Sequence, residues 1–433
     1  MVVFILKKVR MICVLKNIFK FLFFIFTILL FLLFFSKNYI LEMNPNYNYT
    51  FENTNASINE LYIYGNHLNL KGTLDIDFDI TELNLILFGN KETNYKLNFE
   101  NIENGINFYI SDKKNNGILL DNLEKNSYIV FLKVTDINGN NTYYKLKNNT
   151  NYPETEYYTI RKNNNINYIL IKEDRENTLN INVMNKKDNI DDIYDVVIDA
   201  GHGGIDPGAC FNGLCETDFT LTLSKKLKEK LESHSLKVKL TRDDSTPTDI
   251  KFETYGKDGR IDRAMTSRAK YLFSFHLNSG LYTRTGVEIY TTNNIDYTLA
   301  KNLADNIVNN TNTTYSNNPI FKVGEGIYTR TFQNYEIRDV INEANKEGYE
   351  PYDITTNTTY YYIIRETGGF MTGAYTDGRE PDKNLHVNTN VGLESYIMEI
   401  GYITNPNDTN DIKTNMDKYI DAIGNAIIDN ICE

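Results

Sequence analysis

The longest apolar stretch of the chain lies near its N-terminus. Residues 18–36 are apolar at nearly every position, which is close to the minimum length for a transmembrane helix. Five basic residues occur within the first 20 positions, whereas little positive charge follows the stretch. Because positive charge marks the cytoplasmic side, this pattern predicts a cytoplasmic basic segment at 1–17, a transmembrane signal anchor at 18–36 and an extracellular remainder. A cleaved signal peptide is the alternative, but residues 34–37 lack the small residues of a cleavage site.

The next part of the chain shows short apolar or alternating runs. A polar, Asn-rich spacer at 43–57 precedes them, and turn signals such as Gly65-Asn66 follow several of the runs within 58–185. Short strands broken by turns predict an antiparallel, sandwich-like all-β domain at 58–185. His67 is its lone histidine, and no cluster with metal-ligand spacing accompanies it, so we expect this domain to space, bind or dock. The predicted strands include 60–64, 83–88, 128–134, 157–160 and 167–172.

A different pattern begins after a polar linker at 184–192. Short apolar runs now alternate with longer stretches of helical periodicity, which predicts an α/β domain at 194–433 with a mixed sheet flanked by helices. The predicted helices are 217–231, 298–309 and 416–431. The predicted strands are 195–199, 236–241, 271–276, 286–291, 360–365 and 395–400.

The composition narrows the class of protein. Tyr and Phe make the aromatic fraction 13%, which excludes a wholly disordered chain. The formal net charge is −12, whereas phosphate contacts need Lys and Arg, so we expect no nucleic-acid partner. Four cysteines are too few for a disulfide-dense scaffold. These observations favour folded domains and leave the chemistry to particular residues.

Three residues of the α/β domain have the side chains and the positions of a metal site. His202 stands in a Gly-rich loop after a predicted strand, Glu216 begins a predicted helix, and His276 ends another predicted strand. Each has a structural explanation when taken singly, but open α/β sheets bind ligands beyond the carboxyl ends of their strands. Two His and one carboxylate match the three-ligand set of catalytic zinc sites, in which the fourth position is left to water.

Glu399 interrupts the apolar strand at 395–400. A buried carboxylate is costly unless it is paired or functional, so Glu399 is a candidate proton acceptor beside the metal. Its other explanation is a place on the solvent face of an edge strand.

These residues together resemble the zinc-dependent N-acetylmuramoyl-L-alanine amidases, which cut bacterial wall peptidoglycan. The resemblance runs from about residue 195 to the C-terminus. It implies that His202, Glu216 and His276 hold zinc and that Glu399 is the catalytic glutamate. It also implies hydrolysis of the amide that joins N-acetylmuramic acid to L-alanine of the stem peptide. The matching motifs are the His202 loop, Glu216 with Asp218, 240–242, His276 with Asn278, 286–288, and Glu399 with Gly401 and 405–406.

Some features depart from the family or stay open. Residues 311–359 look like an insertion that forms a lid or a substrate wall, and the polar loop at 251–259 is predicted to be remodelled. Asn278 and Arg365 are candidate substrate-binding residues, although Arg365 is equally well explained as a surface arginine. Cys210 and Cys215 flank the approach to Glu216 and are either a small disulfide or free thiols.

The leading hypothesis is a membrane-anchored peptidoglycan amidase that uses Zn²⁺ and faces outward. A catalytically silent wall-binding or complex-forming protein is the first alternative, and it would be expected to lack one of the four chemical residues. A zinc peptidase or deacetylase that acts on the same polymer is the second, and analysis of the reaction products separates it from an amidase.

Overall fold

The computed structural model describes residues 49–52, 55–150, 158–162, 165–174, 178–185, 193–245, 258–348, 354–368 and 391–431. The predicted basic segment and signal anchor lie outside these residues. Among the residues that are described, no helix is both long and apolar enough to cross a membrane. The predicted spacer is described in part, and there it contains strand β1 (Phe51–Glu52) and the start of strand β2 (Ala56–Tyr64).

The N-terminal part of the described chain is all-β apart from two short 3-10 helices. Its two sheets have the strand orders β1-β10-β9-β14-β13-β12, with β4 and β5 joined to β9, and β11-β2-β3-β7-β6, with β8 joined to β3. Most neighbouring strands are antiparallel, as the sequence predicts. The strands are β1 Phe51–Glu52, β2 Ala56–Tyr64, β3 His67–Leu74, β4 Ile80–Phe88, β5 Glu92–Lys96, β6 Asn98–Ile102, β7 Gly105–Tyr109, β8 Ile118–Leu119, β9 Asn126–Asp136, β10 Asn141–Lys145, β11 Lys147–Asn148, β12 Tyr158–Lys162, β13 Asn165–Glu173 and β14 Leu179–Asn185. The 3-10 helices are Lys114–Asn116 and Leu120–Asn122.

Alternating side chains of the two sheets form one apolar core. Leu85 and Leu87 of β4 and Leu61 and Ile63 of β2 are buried in the same cluster, although they belong to different sheets. Since successive residues of a strand point to opposite faces, this spacing of two brings the inner faces together as a sandwich. Full burial of each such side chain stabilises the fold by about 1.5–3 kcal/mol.

The C-terminal domain has a seven-stranded mixed sheet with the order β18-β15-β19-β24-β20-β22-β21. Strand β20 is antiparallel to β24 and parallel to β22, whereas β15, β18, β19 and β24 run parallel. The strands are β15 Val196–Ala200, β16 Cys210–Phe211, β17 Leu214–Cys215, β18 Val238–Leu240, β19 Tyr271–Asn278, β20 Glu288–Thr291, β21 Lys322–Gly324, β22 Ile327–Thr329, β23 Val391–Gly392 and β24 Glu394–Tyr402. The helices are α1 Glu216–Ser233, α2 Arg260–Thr266, α3 Thr298–Asn310, α4 Asn334–Glu347, α5 Tyr362–Thr367 and α6 Pro406–Ile431.

The prediction of a strand at 360–365 is wrong, because most of these residues belong to the short helix α5, Tyr362–Thr367. Its apolar, β-branched residues fit either structure, and a run this short carries too few residues to show the period. The predicted insertion at 311–359 adds β21 and β22 to the edge of the sheet and also contains α4.

Helices cover both faces of this sheet and define a front and a back. Helices α1, α3 and α6 pack on the back face, where Phe275 and Met398 point. Helices α2 and α5 pack on the front face, where Leu272 and Ile397 point. By the same alternation, His276 of β19 and Glu399 of β24 belong to the front face.

The all-β domain and the C-terminal domain share a sheet and a core. Strand β2 pairs in parallel with β23, and the ring of Tyr64 belongs to the buried cluster on the back face of the C-terminal sheet. In the other direction, Val391 packs against the core of the all-β sandwich. The described residues from 51 onward, apart from 89–91, accordingly form one compact unit.

Asn115 joins the two domains through hydrogen bonds. Its side chain donates to the carbonyl of Asp296 at 3.0 Å and to Oε1 of Glu394 at 3.2 Å, and it accepts from the Asp296 amide at 2.7 Å. Glu394 is 3% exposed, and Tyr396 donates a second hydrogen bond to it. Burial raises the pKa of Glu394 to about 7 against these hydrogen bonds, so the junction contains a carboxyl that ionises with difficulty.

We predict that this buried carboxyl makes the stability of the chain depend on pH. Because its folded-state pKa of about 7 exceeds the ordinary value of 4.5, its contribution to folding is complete below pH 4.5 and is lost as the pH rises through 7. Relative to a Glu394→Gln variant, the free energy of unfolding of the parent should fall by up to about 3 kcal/mol over this interval. Urea titrations at several pH values measure the difference. Glu325→Gln, at a carboxylate that is 66% exposed, is the control and should keep the parent's profile. Parallel profiles for the parent and Glu394→Gln would show that the carboxyl does not ionise as described.

Candidate metal centre

His202, Glu216 and His276 meet at the carboxyl-terminal edge of the parallel strands. Oε1 of Glu216 lies 3.0 Å from Nε2 of His202 and 3.0 Å from Nδ1 of His276, and these two nitrogens are 3.2 Å apart. The three side chains thus offer one ligand atom each within a 4.8 Å cluster. The sequence predicted these three residues as a set, and the structure brings them together.

Glycines make room for this cluster. A Cβ atom on Gly201 would lie 2.4 Å from Cε1 of His276, and one on Gly208 would lie 2.7 Å from both Glu216 Oε2 and His202 Cδ2. Gly208 also has a φ of +62°, and His202 itself has a φ of 64°, in the left-handed region that non-glycine residues seldom adopt. The Gly-rich loop is therefore required both by its backbone conformation and by the closeness of the ligands.

Outer hydrogen bonds orient two of the three ligands. Nδ1 of His202 lies 2.9 Å from Oδ2 of Asp206, which leaves Nε2 to face the cluster. The amides of Ala209 and Leu277 donate to Oε2 and Oε1 of Glu216 at 3.1 and 2.9 Å. Such outer partners set the ring orientation and the basicity of metal-binding side chains. The sequence analysis gave no role to Asp206, although its position four residues after His202 in the same loop was a usable signal.

The electrostatics suit a cation. Burial raises the pKa of Glu216, but hydrogen bonds with His202 and His276 and their charges outweigh it and hold that pKa well below its usual range. Burial also lowers the pKa of His276, and the nearby Glu216 only partly offsets this. For His202, the hydrogen bonds and charges of Glu216 and Asp206 exceed the effect of burial and raise the pKa. A negative carboxylate beside imidazoles is the donor set that Zn²⁺ prefers.

Glu399 lies in the middle of a row of three side chains on the front face. It is the register neighbour of His276 on β19 and of Glu288 on β20. Its Oε2 is buried and has no hydrogen-bond partner among the described residues. Burial raises its pKa well above the usual value, and the negative charges of Glu216 and Glu288 add to the effect. Glu399 therefore carries a carboxyl that ionises with difficulty, and it lies beside His276 on a central strand and not on an edge.

The two candidate substrate residues have protein partners. Asn278 donates to Oε2 of Glu288 at 3.0 Å and accepts from the amide of Ser279 at 2.9 Å. Arg365 is 3% exposed and lies in helix α5, and its Nη1 donates to the carbonyls of Thr359 and Tyr360 at 3.0 and 2.7 Å. The expectation that Arg365 ends a strand or lies on the surface is corrected, and its contacts are those of a residue that supports the segment before α5.

Cys210 and Cys215 form a disulfide, which settles the alternative left by the sequence. They are directly paired in the hairpin of β16 and β17, whose turn residues Asn212 and Gly213 have φ values of 50° and 70°. Positive φ at both central residues is what a two-residue hairpin turn requires. Because Cys215 directly precedes Glu216, the disulfide closes the segment that delivers this carboxylate.

A buried ion pair lies beneath the cluster. Asp199 is fully buried, and it accepts hydrogen bonds from Nε of Arg260 at 2.8 Å and from the hydroxyls of Thr241 and Ser274 at 2.6 Å each. Burial raises the pKa of Asp199, but the charge and hydrogen bonds of Arg260 outweigh it and hold the pKa well below its usual range. In the sequence, Asp199 is visible only as the last residue of the predicted strand at 195–199, just before the His202 loop.

Arg242 supports the same loop from behind. It is 5% exposed, and it donates to the carbonyls of Ala200 at 2.9 Å, Gly201 at 3.0 Å and Thr217 at 2.7 Å. These bonds connect the backbone before His202 to the first turn of α1, which begins with Glu216. Arg242 belongs to the 240–242 motif, and the need to donate to three backbone carbonyls at once explains why this position holds an arginine.

Fold and site together define an α/β protein with a His-Glu-His group that could hold a metal ion and a carboxylate beside it. Residues 196–432, more than half of the chain, match the model of the N-acetylmuramoyl-L-alanine amidase family, and the chain belongs to this family.

Individual relatives match shorter parts. YqiI of Bacillus subtilis strain 168 is 34% identical over 112 residues, which cover 26% of this chain and 51% of that protein. The endolysin of Bacillus phage SPP1 is 40% identical over 85 residues, or 19% of this chain and 29% of the endolysin. The chain thus spans about half or less of the length of these relatives. Among solved structures, the N-acetylmuramoyl-L-alanine amidase AmiC2 of Nostoc punctiforme is 22% identical, with 55% of this chain and 97% of that chain covered and a TM-score of 0.35.

We predict that the purified chain binds one zinc ion and that His202→Ala or His276→Ala abolishes tight binding, because two protein ligands seldom retain zinc. Metal analysis after dialysis against a weak chelator measures the content. His234→Ala is the matched control, since this histidine lies at the end of α1, away from the cluster, and its zinc content should equal that of the parent. Equal zinc content in all three variants would place the metal elsewhere.

Proposed function

We propose that the C-terminal domain hydrolyses the amide between the lactyl group of N-acetylmuramic acid and L-alanine of the stem peptide in peptidoglycan. The observation that carries the proposal is the cluster of His202, Glu216 and His276 beside Oε2 of Glu399, which has no hydrogen-bond partner within the described part of the chain. Membership of the amidase family supports this choice of bond and polymer.

His202, Glu216 and His276 are the residues that would hold the zinc ion. When bound, zinc supplies a Lewis acid that polarises the substrate carbonyl and makes a water molecule more acidic. The chain keeps these three side chains in place in three ways. Asp206 bonds to His202, two backbone amides donate to the Glu216 carboxylate, and the ion pair of Asp199 and Arg260 lies beneath the cluster. The donor set fits this metal because it combines one carboxylate with two imidazoles and leaves a position for a further ligand.

Glu399 moves the proton. Its free Oε2 accepts a proton from the attacking water while the water oxygen bonds to the carbonyl carbon. The carbon–nitrogen bond then breaks, and Glu399 returns the proton to the leaving nitrogen. The products are a lactyl carboxylate and a stem peptide with a free N-terminal alanine. The raised pKa of Glu399 favours the second transfer, in which the group acts as an acid.

A catalytically silent wall-binding protein is disfavoured, because all four chemical residues are present and three of them form a compact cluster. Digestion of purified peptidoglycan tests the proposal directly. Mass spectrometry should find intact stem peptides with N-terminal alanine. Peptides cut internally, or glycans that have only lost acetyl groups, would indicate a peptidase or a deacetylase instead.

We predict that Glu399→Gln and Glu216→Gln fail for different reasons. The first keeps the shape of the side chain but cannot accept a proton, so turnover should fall by about 10² to 10⁴ while the zinc content stays near one per chain. The second weakens a ligand, so zinc affinity should fall together with turnover. Rate, zinc content and melting temperature are measured on both variants. A Glu399→Gln protein that is folded, zinc-loaded and fully active would end the proposed mechanism.

We also propose that residues 18–36 hold the protein in the cell membrane with the C-terminal domain outside, where the polymer is. The apolar run with its basic flank supports this arrangement. In intact cells, an added protease should therefore degrade the C-terminal domain, and the chain should sediment with membranes. A released form whose N-terminus lies near residue 37 would contradict a retained anchor.

A further inference from the structure

Glu288 is a buried carboxylate to which the proposed mechanism gives no role. It begins strand β20, is completely buried, and accepts four hydrogen bonds. Asn278 donates to Oε2 at 3.0 Å and the Tyr290 hydroxyl donates to it at 2.6 Å. Ser316 donates to Oε1 at 2.6 Å, and the Tyr402 hydroxyl donates to the same oxygen. Both oxygens therefore have two donors each, which fixes the orientation of this carboxylate.

Two of the donors end the strands that carry the chemistry. Asn278 is the last residue of β19, two positions after His276, and Tyr402 is the last residue of β24, three positions after Glu399. Through these side chains Glu288 ties the ends of both strands to β20. An apolar residue at position 288 would leave four polar groups without their partner, and buried unpaired polar groups are costly.

Glu288 also lies directly opposite Glu399 on the neighbouring strand. Side chains at such cross-strand positions are roughly 5 Å apart at Cβ, and like charges there repel each other. Glu288 is locked by its four donors, whereas Oε2 of Glu399 has no partner among the described residues. Glu399 therefore lies between His276 and Glu288, and the strand ends on either side of it are those that Glu288 holds.

We propose that Glu288 is a positioning residue for Glu399: through Asn278 and Tyr402 it fixes the ends of β19 and β24, and so holds the Glu399 carboxylate in place beside His276. This role presupposes the hydrolase activity proposed above.

Glu288→Gln in the full chain tests the inference, because it keeps the volume of the side chain and removes the charge. We expect kcat for release of stem peptides to fall by about 10- to 100-fold, the effect of a reacting group displaced by about 1 Å, while KM and zinc content stay at the parent's values. Glu325→Gln, an exposed carboxylate in the inserted segment, is the matched control and should behave like the parent.

A double-mutant cycle with Glu399→Gln separates positioning from simple support of the fold. If Glu288 acts through Glu399, Glu288→Gln should lower kcat little further in a chain that already carries Glu399→Gln. A purely structural role would give the same fractional loss in both backgrounds, together with a lower melting temperature, and would overturn the inference. A Glu288→Gln protein with the parent's kcat would also overturn the inference.

Should Glu288→Gln fail to fold, Tyr402→Phe removes one of the four donors to Glu288 and is used in the same double-mutant cycle. A parent chain that releases no stem peptide would instead refute the proposed function.

Discussion

The arrangement of His202, Glu216 and His276 depends on the buried ion pair of Asp199 and Arg260. A charge in this position is tolerated only because Arg260, Thr241 and Ser274 satisfy the carboxylate from three different segments. Those segments adjoin the ligands: Asp199 ends the strand before the His202 loop, and Ser274 stands two positions before His276 on β19. The ion pair thus holds strands β15 and β19 together just before His202 and His276, and this fixes the distance between the two imidazoles. Loss of either partner would leave an uncompensated charge beneath the site, which is far more costly than the pair itself.

A single sequence shows the residues that carry chemistry more readily than the residues that hold them. His202, Glu216, His276 and Glu399 stand at strand ends or interrupt apolar runs, and these positions are visible in the pattern. The roles of Asp199 and Glu288 depend on partners from distant segments, so no local spacing reveals them. Helix α5 was assigned as a strand because six residues are too few to distinguish the two periods.

The junction between the domains is the largest feature that the pattern could not show. Strand β2 pairs with β23 although more than 300 residues separate them in the sequence, and no periodicity within one segment reports such a contact. The hydrophobic pattern changes after the polar linker at 184–192 and predicts two domains. The structure instead places Tyr64 in the core of the C-terminal domain and Val391 against the core of the sandwich. The all-β domain therefore supports the strand that leads into β24 and acts as part of the scaffold for Glu399.

Strand β24 lies in the middle of the seven-stranded sheet, yet it is the last of these strands along the chain. Without it the sheet would divide into β18-β15-β19 and β20-β22-β21. Glu399 arrives with this strand, 123 residues after the last metal ligand, His276. A growing polypeptide therefore contains His202, Glu216 and His276 well before it contains Glu399. The central β-pairings also form late, because they bridge distant segments. The row of His276, Glu399 and Glu288 is thus complete only when the final strand joins the two halves of the sheet.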